Sequence, residues 1–171
     1  MLNEIEDNTV TLLTSKLESA RVIGVQKGTA GIAQPAVYAS AESGTFEKVT
    51  QAIWRHNVTL YVDIIFSNLR DQRSRREGIN LILEGVAGLL LLNSLGLKIE
   101  PIKPKGWKNT TSPEMDELGL IAYSLELTTS YTLTRLNDET AGELLKVGLN
   151  YYLTPGDDAV DASDLVGMEG P

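Results

Sequence analysis

The chain has 171 residues, 42% of them apolar and 22% charged, which suits one domain with a proper core. Its net charge of −8 makes free nucleic acid a poor partner, because phosphate binding needs a basic surface. It contains no cysteine, which excludes disulfides, thiolate metal sites and cysteine nucleophiles.

Met1–Asp7 is acidic and has neither the basic nor the apolar region of a signal peptide, so the cytoplasm of the producing cell is the expected compartment. Residues 2–18 read as an amphipathic helix, with Leu2, Ile5, Leu12, Leu13 and Leu17 on one face. Glu4, Glu6 and Asp7 suit the positive end of its dipole. Val22–Val25 and Ala36–Ala39 read as short strands, joined by a glycine-bearing loop over 27–35. A turn is expected over 40–44, then a polar strand over 46–54 that buries Val49, Ile53 and its aromatic ends. Arg55–Asn57 would turn it into the strand 58–66, where Val58, Leu60, Val62, Ile64 and Phe66 alternate with more polar neighbours.

Residues 67–77 lead into a helix over 78–95. Ile79, Ile82, Leu83, Val86, Leu89, Leu90 and Leu92 make a wide apolar arc, which predicts a helix packed on more than one side. Glu84 and Asn93 interrupt it well short of the roughly 20 residues that cross a bilayer. Gly96 would end it. A strand is expected over 97–103 and a loop over 104–113. Ile121, Tyr123, Leu125, Leu127, Tyr131 and Leu133 then alternate with polar residues, as one long strand or two joined by a bulge. Thr140 and Glu143 have capping-box spacing for a short helix over 140–146, and 149–153 is a last strand candidate. From Gly156 onward the chain has five acids and no base, which predicts a flexible acidic tail.

Strands cluster rather than alternating with helices. That points to an α+β fold: a mostly antiparallel sheet packed on a long central helix and an N-terminal helix, in one domain over 1–155 with a tail over 156–171.

No catalytic constellation emerges. His56, the one histidine, falls in an expected turn and reads as a surface residue. The acids of the tail lack the spacing of a calcium loop, and the glycines of 24–31 lack that of a phosphate loop. Two basic clusters remain. Arg70, Arg73, Arg75 and Arg76 crowd the start of the long helix, where cations oppose the dipole. They read either as a solvated first turn, with Asp71 and Glu77 as local partners, or as a surface for an acidic partner. Lys98, Lys103, Lys105 and Lys108 read either as guards of an edge strand or as a similar surface.

The order of segments resembles a known family. Gln34-Pro-Ala-Val37 comes first. The strand Val58-Thr-Leu-Tyr-Val-Asp-Ile-Ile-Phe66 leads to Asn68-Leu-Arg70, then Arg76-Glu-Gly-Ile-Asn-Leu-Ile-Leu-Glu-Gly-Val86 leads to Leu95-Gly-Leu97. Ile99-Glu-Pro-Ile102 and Tyr123-Ser-Leu-Glu-Leu127 come after these. Over most of residues 2–135 this resembles the tail-terminator proteins of Mu-like contractile-tailed phages and prophages, which are similar to the lambda tail terminator. The stretch 131–153 and the acidic tail have no counterpart in that pattern.

The resemblance implies a structural protein and not an enzyme, with no cofactor and no metal. It implies a subunit of a hexameric ring that caps the tail tube, ends polymerisation and offers the head-joining surface. The partners implied are further copies of the chain, the tail tube protein, the sheath protein and a head-completion protein. Neither a membrane nor sequence-specific nucleic acid is implied. The implied location is the neck end of the virion tail, with assembly in the host cytoplasm. Arg70, Arg73, Arg75, Arg76, Lys98, Lys103 and Lys105 are then the expected subunit or tube interface. Two other readings are a head-completion or connector protein, and a small cytosolic domain binding a ligand between helix 78–95 and the sheet.

Overall fold

The computed structural model describes residues 1–17, 24–27, 35–67, 71–135, 147–151 and 162–166. The chain divides into two compact units, Met1–Leu133 and Thr134–Pro171.

The first unit is α+β, with a mostly antiparallel sheet. Helix α1, Leu2–Leu17, buries Ile5, Thr9, Leu13 and Leu17. Their four-residue spacing lays them along one stripe. Thr9, the polar member, returns its hydroxyl to the Ile5 carbonyl at 2.7 Å, so its burial leaves no unmet donor. Strand β1, Gly24–Lys27, joins in parallel the edge of β2, Ala36–Lys48.

Strand β2 pairs antiparallel with β3, Ile53–Ser67, from Ala36↔Ile65 to Lys48↔Trp54. The turn expected over 40–44 is instead part of β2. A bulge between Ala41 and Ser43 takes up the small polar residues without ending the ladder. Gly44 is required there, since a Cβ would lie 2.7 Å from the Asn57 carbonyl oxygen. The hairpin turn also moves, from the expected 55–57 to 49–52. Thr50 makes it, its hydroxyl accepting from the amides of Ala52 and Ile53 at 3.2 and 3.0 Å.

Helix α2 is Gln72–Leu90, not 78–95. It starts early because Asp71 caps it, accepting from the Ser74 amide and hydroxyl at 2.8 Å each. It stops early because Leu92, at φ 56°, donates to the Ile102 carbonyl while Ile102 donates to that of Asn93. Asn93 then organises the loop, its side chain accepting from the Leu95 amide at 2.7 Å. The buried stripe is Ile79, Leu83, Val86 and Leu90, with Ile82 and Leu89 partly buried against the same core, while Leu92, beyond the helix end, is exposed and leaves the expected arc.

The expected strand 97–103 and loop 104–113 exchange roles. Residues 91–102 are turns, and β4 is Lys103–Asn109. Helix α3 spans Pro113–Glu117. Strand β5, Leu120–Thr134, is the long alternation as a single strand, antiparallel to β4. The sheet order is β1-β2-β3-β5-β4. Helix α1 packs on β1 and β2, and α2 on β3. Val37, Val58, Leu60, Val62, Ile64, Leu125 and Leu127 form the core with the buried stripes of both helices.

In the second unit β6, Val147–Tyr151, pairs antiparallel with β7, Ala162–Val166, in register Val147↔Val166 to Tyr151↔Ala162. Strand β7 lies inside the stretch expected as an acidic tail. The helix expected over 140–146 and the boundary expected after residue 155 fall outside the described residues.

Candidate interaction surfaces

The arginine cluster is held at the entrance to α2, and the structure supplies local partners for it. Arg73 Nε donates to Glu77 one turn on at 2.8 Å, with both side chains mostly in water. Arg75 is largely covered and donates to Asp116 of α3 at 3.0 Å. Asp71 is held below the usual carboxylate range, chiefly by the hydrogen bonds from Ser74. An anionic cap at the helix start offsets the cost of cations in the same turn. Asp116 escapes sequence reading because it is 41 residues from Arg75. Arg76 is exposed at the rim of a cleft of about 390 Å³ between α2 and α3. Arg70 lies outside the described residues.

The lysines do sit at a sheet edge. Strand β4 ends the sheet and is exposed along its whole length. Lys103 and Lys108 pair with Thr128 and Ser124, which share one face of β5, and Lys105 donates to Glu126 on that same face. Glu126 raises the Lys105 pKa through this bond. On the opposite face, Trp107 lies over Tyr123, with ring centroids 4.8 Å apart. There Trp107, Leu83, Ala87 and Leu125 line a mostly apolar groove of about 410 Å³ between β4 and α2. Lys98 is exposed in the turns before β4.

Two features escaped the sequence. The outer half of the β2–β3 hairpin is an arm carrying exposed Phe46, Val49 and Trp54, side chains expected to be buried. His56 is not a surface turn residue. It is 6% exposed, stacked beneath Phe46 at 4.2 Å, with Nδ1 2.8 Å from the Tyr131 hydroxyl. Burial lowers the His56 pKa and raises that of Tyr131. The signal that could have revealed it is its even-numbered position, in phase with Val58, Leu60, Val62 and Ile64.

Among the described residues, no group of three or more acidic, histidine or cysteine residues could hold a metal ion. No helix there is long and apolar enough to cross a membrane.

The first unit is therefore an α+β subunit whose distinctive surface consists of a protruding arm, an open basic edge and a clustered arginine turn, features suited to contact with other proteins. The family model described as Bacteriophage Mu, Gp37 matches residues 1–132, and the chain belongs to that family. Membership marks it as a structural protein of a phage virion, in contact with other virion proteins. No curated protein matches the chain.

Proposed function

We propose that this chain is a tail terminator. Six copies would form a ring on the finished tail tube, stop its polymerisation, meet the last sheath ring and present the surface to which the head-completion protein docks. The arm carries this reading within the phage family. Val49 and Trp54 stand outside the core, and Phe46, though stacked on His56, is still 61% exposed, an apolar patch that a lone subunit gains nothing from leaving in water. A heterologous ring would cover such a patch at every interface.

The cations are proposed as the accompanying polar contacts. Arg76, Lys98 and Lys103 are exposed and form no ion pair among the described residues, and would meet acids of a neighbour or of the tube. Arg73, Arg75 and Lys105 already hold acids of their own chain and would serve by sharing them. Arg70 joins them by its place in the sequence.

The test is position in the particle. Gold labelling of an epitope-tagged chain in intact virions should mark only the head-proximal end of each tail. Label along the tube, at the baseplate or on the head would contradict the proposal.

A further inference from the structure

The family match ends at residue 132, and the first compact unit ends at Leu133. The C-terminal unit is chemically different. Residues 1–133 carry 15 acids and 13 bases, whereas residues 134–171 carry eight acids and two bases. The second unit thus holds −6 of the net −8 charge. Its described structure is a two-stranded ladder, which is marginal in water unless a further strand or face covers it.

The first unit has a surface that fits such an addition. Among the described residues, no strand pairs with the outer backbone edge of β4. An open edge accepts another strand, with backbone bonds supplying affinity and flanking side chains selectivity. One flank here is basic: Lys103 and Lys108 form no ion pair among the described residues. The other flank is the apolar groove under Trp107, which is 55% exposed. A strand suited to this edge is apolar on one side and belongs to an acidic segment. Val147, Leu149 and Tyr151 alternate with Gly148 and Asn150 in β6, within the acidic unit.

We infer that the β4 edge docks the acidic C-terminal unit of a second copy of this chain, extending one subunit's sheet with the neighbour's β6–β7 ladder. A second copy is the occupant that the proposed ring brings to this edge at every interface, and the acidic unit is the part of it whose charge complements Lys103 and Lys108. The inference rests on the ring proposed above and adds a strap between neighbours built from residues beyond the matched 1–132.

The experiment mixes full-length chains of light and heavy nitrogen, lets them assemble, and links carboxylates to amines with a zero-length carbodiimide. Mass spectrometry should find Lys103 or Lys108 joined to acids of 134–171 in mixed-isotope pairs. The exposed pair Lys103→Glu and Lys108→Glu should keep the circular dichroism of the parent and weaken self-association about tenfold at low salt, as expected for a few exposed ion pairs acting together. The loss should shrink at high salt. Oligomers without these links, or with links only within one isotope, overturn the docking and leave the ring standing. So do oligomers whose links join the β4 lysines to the acids of the arm. A chain that remains monomeric and is absent from tail ends overturns both.

Discussion

His56 Nδ1 lies 2.8 Å from the Tyr131 hydroxyl, a buried bond that ties the base of the exposed arm in β3 to the far end of β5. Burial holds the histidine neutral by lowering its pKa below the ordinary 6.5. Its contribution to stability is therefore complete above about pH 6.5, the unfolded value, and declines as pH falls from there through the lower folded pKa. Chemical denaturation at pH 7.5 and pH 5.5 should show the parent losing stability at the lower pH. His56→Gln should lower stability at pH 7.5 and flatten that dependence. An equal slope in parent and variant would mean that His56 titrates alike in both states.

Gly78 and Gly85 should respond in opposite directions to alanine. A Cβ at Gly78 would run into the Phe66 ring where α2 crosses β3, whereas a Cβ at Gly85 meets nothing within 4 Å. Gly78→Ala should cost about 1–3 kcal/mol from overpacking, more than the helix propensity it gains. Gly85→Ala should stabilise by roughly 0.5–1 kcal/mol. Urea midpoints of the two variants check both signs, and stabilisation by Gly78→Ala would remove the close crossing.

Truncation along α2 separates buried from exposed positions. Val86 and Leu90 are fully buried, while Leu81 and Leu92 are 71% and 75% exposed. Leu90→Ala should cost about 2–5 kcal/mol, with a smaller loss for Val86→Ala. Leu81→Ala and Leu92→Ala should stay within about 0.5 kcal/mol, measured in the same denaturant series. A large loss at Leu92 would return it to the wide apolar arc that the sequence predicts.

That arc shows where the sequence was legible and where it was not. The stripe of α1 and the alternations of β3 and β5 appear in the residues because one face of each is buried against the core. The four leucines before Asn93 look helical by composition, but two backbone bonds to Ile102 end the helix at Leu90, and such pairing leaves no local mark. Strand β4 was unreadable because an exposed edge needs no apolar period and tolerates Pro104 and Gly106. Of the candidate site, the basic residues were legible and their partners only in part. Glu77 lies one turn from Arg73, while Asp116 reaches Arg75 through the fold.

The arginines test whether local pairing is their whole role. Arg75→Gln leaves Asp116 without its partner and should cost up to about 1 kcal/mol, since Asp116 is half exposed. Arg73→Gln and Arg76→Gln should change stability by less than about 0.5 kcal/mol. The triple variant should fold and yet form rings or cap tails poorly. Normal assembly at low and high salt would make the cluster a solvated face.

The central claim is that the chain ends tube growth, and the most direct measurement is tube length. Purified tail tube protein is polymerised with and without the chain, and lengths are read by electron microscopy. The account predicts that adding the chain shortens the tubes in proportion to its amount and leaves a ring on one end of each. It also predicts that Phe46→Ala with Trp54→Ala, a folded chain lacking the arm's aromatics, restores uncontrolled lengths. Tubes of the same length distribution with and without the parent chain, and no density at their ends, would contradict it.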